Sequence, residues 1–170
     1  GMGKAKLQAE LGVSKDKAEE LFNIYHSRVP FVKSLMNSVS NRAQQRGQIR
    51  TLLGRLCRFH LWEPNTFGMH KALPFEQAVQ EHGPGIKRAY TYKALNKLIQ
   101  GSAADMTKKS MLELYKEGIV AHIQVHDELD ISVEDGKKAE QIKQIMESAV
   151  ELEIPNKVDY ESGINWGDIK

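Results

Sequence analysis

Apolar residues recur at helical spacing over the first 47 residues of the chain. They predict a helix over 4–11 that a glycine closes, and a second helix that begins after Ser14, whose hydroxyl can cap it. A third helix is expected over 30–46, because proline suits the first helical turn and a glycine follows the last apolar residue. Residues 1–47 are therefore expected to form a helical segment.

Short β-branched and alternating runs farther along the chain predict strands. One hairpin is expected over 48–62, with its turn at Gly54-Arg55. A second is expected over 119–133, with its turn at the polar triplet His126-Asp127-Glu128. Residues 157–161 have the pattern of a short closing strand.

The remaining segments predict loop and helix. Residues 63–86 hold three of the five prolines and are expected to form a loop or lid, with a short helix over 75–80. Helical spacing continues from residue 86 to residue 116, as two helices or as one bent helix with Gly101 at the joint. A final amphipathic helix is expected over 137–151. Together these elements predict an α+β fold, in which helices back an antiparallel sheet.

Charge is distributed unevenly along the chain, although the net charge is only +2. Residues 1–100 carry 16 Lys and Arg against 7 Asp and Glu, whereas residues 101–170 carry 8 against 15. The segment 21–62 holds seven basic residues, six of them arginine, and no acidic residue. Because the arginine fork matches phosphate oxygens, this segment suits a polyanion; a solvated basic face is the alternative.

Several protein classes are excluded by composition. No apolar run approaches the ~20 residues needed to span a bilayer, and the first residues lack the pattern of a secretory signal. Cys57 is the only cysteine, so an internal disulfide is impossible. A reducing cytoplasm is therefore the expected compartment.

The triplet at the second hairpin is the first candidate site. At a turn the strand alternation breaks, so Asp127 and Glu128 can lean toward one cation. Oxygen-only ligation favours Mg²⁺ or Mn²⁺ over zinc. His126 could be a ligand or could bond a phosphate. A solvated hairpin tip is the alternative interpretation of the same residues.

Two amides form the second candidate site. Asn96 and Gln100 are four residues apart, hence on one helical face, within an otherwise apolar stretch. Amides there can donate to the acceptors that every base pair presents in the minor groove. The small residues 101–104 would let a helix or a duplex backbone approach closely. The alternative is a buried amide pair satisfied inside the fold.

Blocks in this order resemble the C-terminal part of the family A DNA polymerases, and the bacteriophage branch is the most similar. They are the arginine-rich hairpin at 51–55, the Asn-x-x-x-Gln-Gly-Ser-Ala-Ala-Asp block at 96–105, and residues 124–129, which are similar to palm motif C. Residues 163–167 resemble the closing segment of the family, and Gly1-Met2-Gly3 resembles its fingers motif.

For the fold, the resemblance implies an antiparallel palm-type sheet backed by helices and preceded by a helical segment from the fingers. Residues 1–47 would be the fingers-derived segment. Residues 48–170 would be the C-terminal palm segment, with a loop-rich insertion at 63–86.

For the chemistry, the resemblance implies that Asp127 is a metal ligand, that Glu128 is its supporting acid, and that His126 contacts the terminal backbone of the primer. In the complete enzyme two Mg²⁺ or Mn²⁺ ions would serve nucleotidyl transfer. Asn96 and Gln100 would test the minor groove at the nascent pair. The other implied DNA contacts are Gln124, Arg50, Arg55, Arg58, Lys93 and Lys97.

Parts of the family's active site have no counterpart here. Nothing in residues 1–100 resembles the upstream metal-binding aspartate, or the fingers helix that holds the triphosphate. Tyr92-Lys93 also stands where many relatives have an arginine. We therefore expect a C-terminal fragment of a DNA-directed DNA polymerase that binds primer-template duplex and is inactive alone. Deoxynucleoside triphosphates and the missing N-terminal portion would be its other partners.

Two other functions fit the same residues. A non-catalytic duplex-binding module would use the basic face and would not need the acidic pair. A metal-dependent nuclease would need a further acid beside Asp127 and Glu128, and Asp130 is the only near candidate.

Overall fold

The computed structural model describes residues 3–66, 68 and 71–169. By its internal contacts the chain divides into two compact units, Gly1–Gly101 and Ser102–Lys170. Helices and small antiparallel sheets occur together, which confirms the predicted α+β class. The predicted boundary between fingers-derived and palm-derived residues stays a prediction. Gly1 and Met2 of the fingers-like motif lie outside the described residues.

The first unit begins with the three predicted helices. Their bounds are α1 Lys4–Leu11, α2 Lys15–Arg28 and α3 Pro30–Arg46. The backbone N–H of Lys17 donates to the Ser14 hydroxyl, so the predicted cap of α2 is present. Glycines end α1 and α3 in the left-handed region, at φ of 62° and 67°.

The first hairpin follows α3 directly and is shorter than predicted. Strands β1 Gln48–Arg50 and β2 Leu56–Arg58 pair antiparallel, with Ile49 opposite Cys57. Ile49 is buried and Cys57 packs against the same apolar core, so this hairpin face points inward. The buried members of that core are Val39, Ala43, Ile49, Phe59 and Ala94.

The segment predicted as a loop contains more structure. Strand β3 Trp62–Pro64 pairs antiparallel with β4 Ile86–Arg88, and the short helix is α4 Phe75–His82. The prediction of a helix from residue 86 is therefore wrong at its start. A three-residue strand is too short to show a period of two, and its partner lies more than 20 residues away.

Helix α5 spans Ala94–Lys116 without a break at Gly101, which decides between the two predicted forms. A 3₁₀ turn at Thr91–Lys93 precedes it. Gly118, at φ 72°, follows its end as expected.

The second unit holds the second hairpin and the last helix. Strands β5 Ile123–Val125 and β6 Glu128–Asp130 are again shorter than predicted, and α6 spans Gly136–Ser148. Leu114, Ile119 and Ile142 form a buried cluster, against which Leu129 packs. Helices α5 and α6 thus back this hairpin.

The predicted closing strand is wrong. Residues 157–161 are irregular and mostly exposed, and no strand among the described residues pairs with them. The Val158 N–H instead donates to a Glu147 carboxylate oxygen at 3.0 Å. A 3₁₀ turn at Trp166–Asp168 follows. Within the described ranges, no helix is both long and apolar enough to cross a bilayer.

Candidate nucleic-acid interface and acidic hairpin

The first hairpin presents two arginines on its outer face. Because side chains alternate along a strand, Arg50 and Arg58 lie on the face opposite to buried Ile49. The two arginines are diagonal neighbours across the two strands, because Arg50 pairs with Leu56 and Arg58 pairs with Gln48. Both side chains are exposed, so both charges can meet a phosphate. Arg50 also donates to the Gly54 carbonyl at 2.8 Å.

Arg55, at the turn, has a structural contact that sequence analysis did not predict. Its guanidinium donates to the Gly101 carbonyl in α5 at 2.8 Å. Its backbone N–H donates to the Thr51 hydroxyl at 3.0 Å. Arg55 therefore ties the hairpin turn to α5, whatever it contributes to DNA binding.

Gly101 lets the hairpin and α5 approach closely. A Cβ at this position would lie 2.9 Å from Thr51 Cγ2, well inside van der Waals contact. Thr51 is only 5% exposed, so it has little room to move away. The small residues 101–104 were predicted to let a helix or a duplex backbone approach closely. At Gly101 the structure shows the close approach of another element of the fold, the first hairpin.

Two lysines lie in the first turn of α5 and in the turn before it. The Lys97 ammonium is 5.1 Å from the centre of the Phe59 ring, which follows β2. The Lys93 ammonium lies 5.1 Å from the Tyr90 ring and 5.6 Å from the Tyr92 ring. Both lysines are exposed. The contact with Phe59 holds the Lys97 charge near the hairpin without burying it, whereas Lys93 stays beside the tyrosines of its own turn.

The two amides of α5 are both exposed. The alternative of a buried, internally satisfied pair is therefore wrong. Ala94 is fully buried and Leu98 packs on the core. Each amide follows one of these residues by two positions, which is about 200° around the helix. The amides consequently point away from the core, free to meet a ligand.

The first unit thus brings the predicted DNA contacts to one hairpin and the adjoining start of α5. These residues are Arg50, Arg55, Arg58, Lys93, Asn96, Lys97 and Gln100.

Sequence analysis missed Arg88, which organises this region. Its guanidinium donates to the Phe59 carbonyl at 2.9 Å and to the Gln44 carbonyl at 3.2 Å, and it lies 4.5 Å from the Trp62 ring. A Cβ on Gly47 would lie 2.7 Å from the guanidinium and would displace it from these partners, and the φ of 67° at this position also favours glycine. No local pattern marks Arg88, because its partners come from two distant segments, the end of α3 and residues 59–62.

The acidic hairpin of the second unit has a two-residue turn. Val125 pairs with Glu128, so the turn residues are His126 and Asp127, and Glu128 begins β6 instead of lying in the turn as predicted. His126 has φ of 52°, an uncommon backbone region for a residue other than glycine. The Gln124 side-chain amide donates to the His126 carbonyl at 2.5 Å. Gln124 thus steadies the turn, and its predicted contact with DNA stays a prediction.

The carboxylates of this hairpin are accessible. Asp127 and Glu128 are exposed and Asp130 is half-buried. All three line a cavity of about 430 Å³, whose walls also include Lys143 and Tyr160. In the ranges that the structure describes, no group of three or more His, Cys, Asp and Glu side chains could hold a metal ion. Carboxylate oxygens are the ligand type that a hard cation takes, and Asp127 and Glu128 are neighbours in the sequence.

Comparisons with known proteins identify the family of the chain. The model of DNA polymerase family A matches residues 1–168. The chain is 36% identical over 151 residues to a DNA-directed DNA polymerase of Pseudomonas phage M6, covering 89% of this chain and 20% of that protein. It is 31% identical to DNA polymerase I of Bacillus caldotenax, covering 100% of this chain and 18% of that protein.

A solved structure is also similar. The POL domain of Pol1 from M. smegmatis, in complex with DNA primer-template and dNTP, superposes with a TM-score of 0.66 at 26% identity. The match covers 91% of this chain and 26% of that chain. The chain spans about a fifth of the length of the curated relatives named above. Because the family model matches almost every residue, the chain belongs to the family A DNA polymerases.

Proposed function

We propose that this chain is part of a DNA-directed DNA polymerase, in which the first unit binds primer-template duplex and the second supplies one portion of the metal site. One observation carries the proposal: two arginines, two lysines and two amides are exposed together on the first hairpin and the start of α5. Family membership supports it, and the M. smegmatis relative is described with DNA primer-template and dNTP.

The basic residues would bind the phosphate backbone. Arg50 and Arg58 project from one strand face, and Lys97 lies where the hairpin meets α5. Contacts with phosphate carry no sequence information, so they fix the position of the duplex alone. Each contact also releases counterions, which makes affinity fall as salt rises.

The amides would test the geometry of the base pair. Asn96 and Gln100 point away from the core and carry donors without a charge. Purine N3 and pyrimidine O2 present acceptors in the minor groove of every correct pair. A mispaired base displaces those acceptors, so loss of either amide should matter most for extension of mismatched ends.

The acidic hairpin would hold the metal. Asp127 and Glu128 would bind Mg²⁺ or Mn²⁺, which when bound neutralises phosphate charge and lowers the pKa of the attacking hydroxyl. The Gln124 amide and the short turn fix the backbone that carries Asp127. His126, exposed beside it, would contact the primer backbone.

This portion would be insufficient alone. A two-metal site needs carboxylates that clamp both ions, and the residues described here offer an adjacent pair without a third ligand. The same finding gives no support to a nuclease built on Asp130. The remaining carboxylate and the triphosphate-binding groups would come from the rest of the polymerase.

Binding is tested by fluorescence anisotropy of a labelled primer-template across a salt series. We expect log affinity to fall linearly with log salt, and Arg58→Ala to lower affinity and reduce the slope by about 0.9. Lys137→Ala in α6 is the matched control, because it removes the same charge from the second unit. A chain that does not bind primer-template, or equal effects of Arg58→Ala and Lys137→Ala, would overturn the proposed interface.

A further inference from the structure

Arg88 lies at the base of the first hairpin, where β1 begins and β2 ends. Its Nη1 donates to the carbonyl of Phe59, the residue after β2, at 2.9 Å. A Cβ on Gly47, the residue before β1, would lie 2.7 Å from the guanidinium. Its Nε donates to the Gln44 carbonyl in the last turn of α3 at 3.2 Å. One side chain thus contacts both ends of the hairpin and the helix that leads into it.

The segment that carries Arg88 is itself held in place. Arg88 ends β4 and pairs with Trp62, which begins β3. The guanidinium lies 4.5 Å from the centre of the Trp62 ring, and that ring packs edge-on against Phe75 of α4, with 5.1 Å between the ring centres. In the amide orientation that satisfies its neighbours, the Gln44 side chain accepts from the Arg88 N–H at 2.9 Å and donates to the Arg88 carbonyl at 3.2 Å. The β3–β4 sheet and α4 therefore hold Arg88 against the hairpin.

The guanidinium of Arg88 is directed into the fold. The residue is half-buried, two of its donors bond backbone carbonyls, and its face lies against an indole. Hydrogen bonds from a charged donor are stronger than those between neutral groups, so these contacts are costly to break. Arg50 and Arg58, by contrast, are exposed on the outer face of the hairpin.

We infer that Arg88 is a positioning residue for DNA binding, which acts through the first hairpin and contacts no phosphate itself. The inference rests on the proposed function. Arg58 directly precedes Phe59, and Arg50 follows Gly47 by three residues, so a shift of the hairpin base displaces both charges. Because each phosphate contact needs its arginine in place, loss of Arg88 should remove the contacts of both. The sheet that carries Arg88 thereby serves the binding face from behind.

The test measures binding of the labelled primer-template by the full chain across a salt series. We expect Arg88→Gln to lower affinity and to reduce the salt slope by about 1.8, the value for two lost phosphate contacts. Arg88→Lys should behave like Arg88→Gln, because an ammonium keeps the charge but lacks the planar fork that bonds two carbonyls and covers the indole. Gly47→Ala should have the same effect, because its Cβ displaces the guanidinium while every charge of the chain remains.

Two further chains separate positioning from direct contact and from lost stability. In a chain that carries Arg50→Ala and Arg58→Ala, Arg88→Gln should not change the slope further, because the contacts that it supports are already gone. Ala18→Gly is the control for stability alone. Ala18 is buried in α2, and glycine weakens a helix without removing a charge, so the slope should stay that of the parent.

Each other outcome overturns the inference in a defined way. Arg88→Gln that binds like the parent refutes the role. A slope reduction of about 0.9 that persists without Arg50 and Arg58 shows that Arg88 contacts a phosphate itself. Recovery in Arg88→Lys shows that charge alone matters, and an equal slope loss in Ala18→Gly shows that stability does. A parent chain that does not bind primer-template refutes the proposed function itself, which the Arg58→Ala salt series detects separately.

Discussion

Alanine at Gly101 should destabilise the first unit, although alanine is the better helix former. In an open helical site Gly→Ala gains about 1 kcal/mol. Here the new Cβ would lie 2.9 Å from Thr51 Cγ2, against an optimal separation of about 3.5–4.0 Å. Overpacking of this kind costs about 1–3 kcal/mol. We therefore expect a net loss of about 1 kcal/mol in the free energy of unfolding.

A second substitution identifies the clash as the cause. Thr51→Ser removes Cγ2 but keeps the hydroxyl that accepts from the Arg55 N–H at 3.0 Å. In the Gly101→Ala/Thr51→Ser double variant the helix gain should appear, so the two changes should couple by at least about 1 kcal/mol. Gly136→Ala in α6 is the control, since nothing lies within 4 Å of a Cβ there.

Urea unfolding followed by circular dichroism measures the parent chain, the single variants Gly101→Ala, Thr51→Ser and Gly136→Ala, and the double variant. We expect Gly101→Ala to be less stable than the parent, the double variant to be more stable than the sum of the two single effects, and Gly136→Ala to be neutral or stabilised. If Gly101→Ala stabilises the chain as much as Gly136→Ala does, the hairpin does not approach α5 as closely as the structure shows, and the reasoning fails.

Two further predictions concern the second unit. The free energy of unfolding of His126→Gly should exceed that of His126→Ala by about 1 kcal/mol, because φ is 52° at this turn. Urea unfolding measures both variants, and equal stability would contradict the strained turn. Hydrogen bonds from Lys109 and then Lys116 hold the pKa of Glu113 below its ordinary value of 4.5. A lowered folded pKa stabilises the chain above pH 4.5, and this stabilisation is lost as pH falls through the lowered value. Glu113→Gln should therefore be less stable than the parent at pH 7 and equal to it in strong acid, and a difference that persists there would contradict the ion pairs.

The helices of the first unit could be predicted because their signals are local. Ser14 caps α2, and glycines follow α1 and α3 at positive φ, so a few neighbouring residues determine each boundary. The pairing of β3 with β4 could not be predicted in this way, because each strand has three residues and the partners lie far apart in sequence. The strand expected at 157–161 failed for the converse reason, since an alternating run needs a partner strand, and the described residues provide none.

Part of the candidate interface was also visible in the sequence. The spacing of Asn96 and Gln100 placed them on one helical face, and the structure shows that this face is exposed. The contact of Arg55 with Gly101 was not visible, because 46 residues separate its partners. Residue type predicted which groups could bind DNA, whereas only the packed fold shows which of them also hold the structure together.

Primer extension is the most direct test of the central claim, that this chain contributes one portion of a polymerase site. The chain would be assayed with Mg²⁺, primer-template and deoxynucleoside triphosphates, alone and with a polypeptide that carries the upstream palm and fingers of a family A polymerase. We expect no extension by the chain alone, extension by the pair, and a loss of at least ~10³-fold in the pair with Asp127→Asn, while Glu134→Gln in the same unit has no effect. Extension by the chain alone, or activity of the pair that is indifferent to Asp127→Asn, would contradict the claim.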